Sequence, residues 1–270
     1  MKNLPEKSVK LVYGSPPYPN ARRNYGIWKT ENYIEKISPF FDSIKYVLRD
    51  DGFFVLNIKA NRNPGTSNTS SERSLIVEKI MLMLKEKWKM YCVDIEIWVK
   101  KSWAPTGLKC ACQDVYEYML WYSISPKWKI NLDAIRTPYS PATLKSYKEK
   151  TWNPLHNGLA YFYKTKKIEP NPLGALPRNV IIGANAQNRE NHQAVQPVYL
   201  SEKYIKATTK EGDIVCDPWV GTATTGVSAL QLGRKFIGFD VCQEYIEIGK
   251  RRLEEVLKEK DNQQSNYLKE

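Results

Sequence analysis

The chain has 270 residues, 42% of them hydrophobic, enough for one large α/β domain with a modest insertion around a packed core. No apolar run approaches the ~20 residues of a membrane span; the first nine residues hold charges and a proline but no long apolar stretch, which argues against a secretory signal and for the cytoplasm. A formal net charge of +12, from 41 Lys and Arg against 29 Asp and Glu, points either to a polyanionic partner such as nucleic acid or to a solvated lysine-rich surface, and charge alone does not choose between them.

In chain order, residues 8–13 alternate as a strand and run into Gly14-Ser15-Pro16-Pro17-Tyr18. Residues 33–48 place Ile34, Ile37, Phe41, Ile44 and Leu48 on one helical stripe, and an Asp-Asp-Gly turn signal leads into a short apolar strand at 52–58. Residues 75–88 repeat the helical rhythm. Residues 91–99 alternate, with Tyr91, Val93, Ile95, Ile97 and Val99 on one face, and 116–124 form an aromatic-rich strand. The stretch 125–186, rich in Pro, Asn, Tyr and Lys, keeps no period and reads as an inserted irregular module. Helices at 200–208, 222–232 and 243–257 then alternate with short strands at 213–216 and 235–239, and the polar tail after Lys258 is expected to fray. Strands alternating with helices imply a mostly parallel sheet with helices on both faces. The cysteines, Cys92, Cys110, Cys112, Cys216 and Cys242, are scattered and odd in number, which suits reduced core thiols; with only one close pair, a four-ligand zinc site is not expected.

Two segments carry chemistry. Ser15-Pro16-Pro17-Tyr18 follows the first strand, where ligands bind in open α/β sheets. Two prolines stiffen the loop and remove two N–H donors, so its carbonyls are free to act as acceptors. An aromatic amine is a poor nucleophile because its lone pair is delocalised; acceptors around its N–H bonds, here Ser15 Oγ and the Pro16 carbonyl, draw it toward tetrahedral geometry, while Tyr18 is placed to stack on the base. The second segment is Asp217-Pro218-Trp219-Val220-Gly221-Thr222-Ala223-Thr224-Thr225, a strand end, a loop of small residues and a helix start. The next strand ends at Asp240, an acid ~20 residues on that suits ribose hydroxyls. Without a G-x-G-x-x-G spacing or a Walker lysine, a nucleoside lacking phosphates fits, and S-adenosylmethionine is one.

Together these segments resemble the amino-methylating DNA methyltransferases over nearly the whole chain. Ser15-Pro16-Pro17-Tyr18 is similar to the catalytic tetrapeptide of that group, and Asp217 to Thr225 to its cofactor loop. Gly238, Asp240 and Tyr245 match the next strand and helix; His192, Ala194, Pro197 and Leu200 match the segment before the cofactor strand; Trp98-Val99-Lys100 and Glu117-Tyr118 resemble the strands before its recognition module. The order, catalytic loop first and cofactor loop last, resembles the circularly permuted β-type arrangement. The resemblance implies a Rossmann-like methyltransferase fold: a catalytic half (1–124), a target-recognition region (125–186), a cofactor half (187–258) and a flexible tail (259–270). Ser at position 15, with Arg22-Arg23-Asn24-Tyr25-Gly26, resembles the cytosine-N4 members; adenine N6 on the same fold, or a non-catalytic DNA-binding relative, are the alternatives.

The implied sites follow residue by residue. Ser15, Pro16, Pro17 and Tyr18 line a pocket for a base flipped from double-stranded DNA. Asp217, Pro218, Trp219, Gly221, Thr222, Thr224, Asp240 and His192 line the S-adenosylmethionine site. Arg22, Arg23, Lys164, Lys166 and Lys167 touch the DNA backbone. No metal is expected. A cognate restriction endonuclease acting on the same DNA site and an oligomeric state are left open. Lys250-Arg251-Arg252, with Glu254 and Glu255, reads as a solvated helix face, and His156 as a surface residue. The chain departs from the family pattern at Ala223, where a glycine is usual and a methyl enters a backbone that a ligand approaches, at Trp219 (for Phe) and at Gln196 (for an aromatic). It also shows, between Met1 and Ser8, no room for the strand ending in Gly-Asp that family members carry ahead of the catalytic strand.

Overall fold

The computed structural model describes residues 1, 3–21, 26–101, 111–149, 169–184 and 196–267. The chain forms two compact units, one of Met1–Ile130 with Asn179–Glu270 and one of Asn131–Arg178. The larger unit opens with β1 (Val9–Gly14), α1 (Tyr33–Val47) and β2 (Leu48–Ile58). A short antiparallel pair, β3 (Arg62–Asn63) and β4 (Glu72–Arg73), precedes α2 (Ile76–Glu86), β5 (Tyr91–Lys100) and β6 (Tyr116–Ser123). The smaller unit holds α3 (Pro141–Glu149). After it come β7 (Val180–Gly183), α4 (Val198–Thr208), β8 (Ile214–Asp217), α5 (Thr224–Gln231), β9 (Lys235–Gly238) and α6 (Gln243–Tyr267).

One seven-stranded sheet runs β7-β5-β6-β2-β1-β8-β9. Only β6 is antiparallel to its neighbours; every other pairing in this sheet is parallel. The mixed α/β architecture read from the alternation is therefore present. The central strands are apolar on both sides because helices cover both faces. On one face α1 and α2 close over Val12, Phe54, Leu56, Leu120 and Tyr122 with Ile37, Phe41, Ile44, Ile80 and Leu84. On the other, Tyr204 of α4 packs against Tyr13 of β1 and Trp121 of β6, and the Ser201 and Ser228 hydroxyls, 2.6 Å apart, tie α4 to α5.

Three sequence expectations change. In β5 the buried side chains are Glu96 and Trp98, whereas on the aliphatic face Ile95 is 39% exposed and Val93, Ile97 and Val99 are half-buried. The cause is α4: Tyr204 donates to Glu96 (2.8 Å), Lys203 pairs with it, and Trp98 Nε1 donates to the Tyr199 hydroxyl (2.9 Å), which satisfies a carboxylate that would otherwise be costly to bury. A register shift between Cys92 and Asp94 also breaks the simple alternation. Second, the stretch read as irregular contains β7, an edge strand paired in parallel with β5 from Ile97↔Val180 to Lys100↔Gly183. Third, α6 continues to Tyr267, past the point where polar composition suggested fraying; Lys260 Nζ donates to the Leu230 carbonyl (2.6 Å) at the end of α5, an oxygen that also accepts from the Gly233 N–H (3.0 Å). Cys216 is buried as expected of a core thiol, but Cys92 and Cys112 are exposed.

The smaller unit buries little apolar surface; among its described residues only Ile135 is a buried hydrophobic. Polar contacts hold it. Arg136 donates to Asp133 (2.6 Å) and to the Gly174 carbonyl (2.8 Å), Ser140 caps α3 at the Thr143 N–H (3.1 Å), and Pro141 occupies the first helical position, where its missing N–H costs nothing.

Candidate active site

β1 and β8 are neighbours and parallel, with Leu11 opposite Val215 and Val12 opposite Cys216, so the loops that follow them leave the sheet at the same edge. Gly14 ends β1 and is buried against the second loop. A Cβ there would lie 2.8 Å from Asp217 Oδ1 and 2.9 Å from Trp219 Cε3. Only glycine lets the two loops come this close, and two segments far apart in the chain meet there.

Past Gly14, Pro16 and Pro17 are buried while Ser15 and Tyr18 are half-buried. The loop's carbonyls are used unequally. That of Pro17 accepts from the Tyr33 hydroxyl (2.9 Å) and that of Tyr18 from the Ala21 N–H (3.0 Å). No hydrogen bond among the described residues engages that of Pro16. Tyr18 is tethered by its hydroxyl, which lies 2.6 Å from Glu117 Oε2 and 2.9 Å from Asn57 Oδ1. Ser15 Oγ donates to it over a longer 3.3 Å.

Behind this tether lies a buried polar network. Asn57 donates to the Tyr118 carbonyl (3.2 Å), which fixes its amide orientation, and its Oδ1 accepts from Gln196 Nε2. Gln196 Oε1 in turn accepts from the Tyr13 hydroxyl (3.0 Å). Lys100 closes the network as an ion pair with Glu117 Oε1. Burial, then the charge of Glu117, raises the Tyr18 phenol well above its ordinary pKa. Tyr13 is raised by burial first and then by the charges of Asp217 and Glu117, so carboxylates from both sides of the site act on one hydroxyl.

The second loop is satisfied locally. Asp217 Oδ1 accepts from the Trp219 N–H (3.0 Å) and Oδ2 from the Thr225 hydroxyl (2.6 Å). Burial nevertheless dominates and pushes its carboxyl up to about 7, against the pull of those two donors. Gly221 has φ +50, and its N–H donates to Asp240 Oδ2 (2.9 Å), while Asp240 Oδ1 accepts from the Cys242 N–H (2.9 Å) at the start of α6. Trp219 packs on Phe40, ring centroids 5.1 Å apart.

Residues 9–251 match the family model for N6/N4 methyltransferases, described as DNA methylase. The chain belongs to this DNA methylase family. It is 26% identical over 250 residues to the Type II methyltransferase M.BglII of Bacillus subtilis, covering 91% of its own length and 64% of that relative, just under two thirds. It is 26% identical over 259 residues to the DNA adenine methyltransferase YhdJ of Escherichia coli K12, covering 94% and 79%. Among solved structures, the cytosine-N4-specific PvuII DNA methyltransferase superposes with a TM-score of 0.70 at 20% identity, over 95% of this chain and 86% of that one. A putative DNA modification methylase from Thermus thermophilus, in complex with S-adenosylmethionine, gives 0.62 at 20% identity, over 94% and 89%. At such identities the likeness establishes the fold.

Within this DNA methylase the expected site residues fall into three groups. Ser15 to Tyr18 follow directly on Gly14, which packs against Asp217, Pro218 and Trp219, and Gly221 and Asp240 are linked directly. Thr222 and Thr224 are buried with their hydroxyls toward Arg252 of α6, at 3.0 and 3.5 Å, and Arg252 also donates to the Thr222 carbonyl. Arg252 therefore braces the Asp217–Thr225 loop and is not part of a solvated face. Arg22, Arg23, Lys164, Lys166, Lys167, His156 and His192 lie outside the described residues. The Ala223 methyl is buried against α6: a Cβ on Gly249 would meet it at 3.1 Å. Asn57, Lys100, Glu117, Gln196 and Thr225 were not singled out as site residues. Asn57 had a signal, a lone amide inside an apolar strand; Gln196 had another, a polar residue where the family resemblance leads one to expect a ring.

Proposed function

We propose that this DNA methylase transfers a methyl group from S-adenosylmethionine to an exocyclic amino nitrogen of a base flipped out of double-stranded DNA, N4 of cytosine in preference to N6 of adenine. The observation that carries the reading is the contact of the two motifs across Gly14, which joins an acceptor-lined loop to a nucleoside-type loop.

The residues fit the cofactor. Each Asp240 oxygen accepts one backbone N–H, which leaves lone pairs for ribose hydroxyls. Val241, 81% exposed beside it, offers an apolar ledge for an adenine ring. Asp217, Pro218, Trp219 and Gly221 would hold the remainder, and the relative from Thermus thermophilus was solved with this molecule bound. When bound, S-adenosylmethionine supplies a sulfonium-activated methyl group. Ser15 Oγ and the Pro16 carbonyl, unengaged among the described residues, are the acceptors for the two N–H bonds of the target amine. They localise its lone pair, and the prolines hold them in place before the base arrives. The Tyr18 ring, fixed by its hydroxyl, offers a face to stack on the base. Residues 125–186 serve as target-recognition region, with Arg22, Arg23, Lys164, Lys166 and Lys167 on the phosphates. The order of the loops fits the permuted arrangement, and the Type II name of M.BglII fits a restriction–modification pair.

The choice of cytosine rests on Ser15 and on the likeness to the PvuII enzyme; the 26% identity to YhdJ favours adenine as the second reading. The test is incubation with genomic DNA and methyl-labelled S-adenosylmethionine, followed by digestion to nucleosides and mass spectrometry. N4-methylcytosine is expected. N6-methyladenine alone would move the assignment to the second reading, and no labelled nucleoside would overturn the reaction itself.

A further inference from the structure

We propose that Glu117 is the end point of a hydroxyl relay, Ser15–Tyr18–Glu117, that carries away the proton the target amine loses on methylation. The inference rests on the methyl-transfer reading above and deepens it by giving that proton a destination.

The hydrogen bonds run in one direction. Ser15 Oγ donates to the Tyr18 hydroxyl at 3.3 Å, and the Tyr18 hydroxyl donates to Glu117 Oε2 at 2.6 Å. A phenol has one proton, and Asn57 Oδ1, 2.9 Å away, is the competing acceptor. Gln196 Nε2 already donates to that oxygen, so the Tyr18 proton is left for the carboxylate, the shorter and charge-assisted partner. With both hydroxyl protons pointing inward, the lone pairs of the half-buried Ser15 Oγ are free to take a proton from outside. The 3.3 Å link is the loose step, of the kind that tightens when a substrate is bound.

Glu117 suits the role by its setting. It is 3% exposed, and its described polar partners are Tyr18 at Oε2 and Lys100 at Oε1. Burying a charge is expensive unless it is paired, and an apolar residue would fill the strand at lower cost. The neighbouring buried carboxylate, Glu96, is explained by packing, since it binds Lys203 and Tyr204 of α4 and touches no loop of the site. Glu117 alone of the two reaches the catalytic loop. The charged and titratable groups facing it are Lys100 from β5, Tyr18 from the loop, and Tyr13 of β1, which feels its charge. The raised pKa of Tyr18 keeps the middle proton in place between turnovers.

The step balances. The amine nitrogen forms the new N–C bond as the C–S bond breaks, and the bonding pair stays on sulfur, which becomes a neutral thioether. The methylated nitrogen then gives one proton to Ser15 Oγ, Ser15 passes its own to Tyr18, and Tyr18 passes its own to Glu117, which becomes a neutral acid. Release to water resets the chain. Because Glu117 reaches the substrate only through two hydroxyls, it is a positioning residue.

The test uses the full chain as E117Q and Y18F, each with two readouts. In ¹³Cζ-tyrosine NMR, the resonance that Y18F abolishes should titrate at lower pH in E117Q, because an amide keeps a hydrogen bond but not the charge. In single-turnover methyl transfer at saturating DNA and cofactor, E117Q and Y18F should each fall on the order of 10²-fold, with unchanged affinities for both ligands. The double variant should be no slower than Y18F, as expected for groups in series. Wild-type transfer by E117Q, a loss confined to affinity, or an unmoved Tyr18 titration would overturn the relay while leaving methyl transfer standing. A wild-type protein that labels no DNA would instead remove the reaction, and the relay with it.

Discussion

Asp217 and Tyr18 stand at the ends of neighbouring strands, and they are held by different parts of the chain. The partners of Asp217, the Trp219 N–H and the Thr225 hydroxyl, belong to its own strand–loop–helix turn. The acceptors around the Tyr18 hydroxyl come from β2 and β6, and through Asn57 from Gln196 just ahead of α4. A locally satisfied loop keeps its shape wherever the turn forms. A loop satisfied by distant strands has its shape only when the whole sheet is assembled, and it inherits every error in that assembly. On the proposed assignment, the cofactor side of the site is therefore the robust half and the base side the fragile one.

The contact between the halves is where a substitution does most. Gly14→Ala puts a methyl at 2.8 Å from Asp217 Oδ1 and 2.9 Å from Trp219, neither of which is the loose end of a flexible chain. Overpacking of this kind costs roughly 1–3 kcal/mol. Displacing one loop from the other by a fraction of an ångström or more should lower methyl transfer by on the order of 10²-fold. Urea denaturation and single-turnover transfer on the same variant check both; a fully active G14A would break the picture of two loops meeting at a shared point.

The comparison also explains what the sequence could reveal. Strands and helices that alternate or repeat over many residues were legible, as was the Asp217 loop, because its donors are neighbours in sequence. β7 was not: four residues between turns carry too little period, and it is a strand only because β5 offers it an edge. The alternation of β5 was legible, but not the burial of Glu96, a poor core residue by itself; that burial is set by Lys203 and Tyr204, which no local pattern announces. Ser15 to Tyr18 were recognisable as a motif, but what fixes Tyr18 was not, since Asn57, Glu117 and Gln196 acquire meaning only after the strands pair.

On the cofactor side the next largest effect is a pH dependence. The Asp217 carboxyl is raised from 3.8 to about 7, chiefly by burial, so the folded protein holds a proton that the unfolded chain has lost between those values. Its contribution is fully present below about pH 4 and is lost as pH rises through about 7, at a slope of roughly 1 kcal/mol per pH unit at its steepest. Asp217→Asn cannot titrate. The difference in unfolding free energy between wild type and D217N should therefore slope across that window and flatten above it, as measured by urea denaturation at several pH values. A difference that does not vary with pH would show that the two donors outweigh burial. On the base side, Gln196→Leu removes the partner of both Tyr13 and Asn57 and should cost about 1–3 kcal/mol of stability. It also frees Asn57 Oδ1 to compete for the Tyr18 proton. Transfer should then slow while cofactor affinity holds, and a matching loss of cofactor affinity would mean that the halves are not separable in this way.

The smallest effect concerns Ala223, which the motif alone marks as a flaw. Ala223 sits in the left-handed region (φ +63, ψ 35), where a non-glycine residue costs about 1–2 kcal/mol. Its methyl is buried, and burying a methyl returns about 0.8 kcal/mol. The residue opposite is Gly249, inside α6, where glycine gives up about 1 kcal/mol of helix propensity relative to alanine. The pair reads as an exchange: alanine in the loop, glycine in the helix, one methyl between them. Ala223→Gly alone should shift stability by less than about 1 kcal/mol, since relief of strain and loss of packing nearly cancel. Gly249→Ala alone sets two Cβ atoms 3.1 Å apart and should gain little. The double variant keeps one methyl at the contact, removes the left-handed strain and restores the helix former, so it should exceed wild type by about 1–2 kcal/mol in urea denaturation. Cofactor affinity should be unchanged in all three, because the methyl faces α6. An affinity that rises in A223G would place the methyl in the ligand's path after all and return Ala223 to the binding surface.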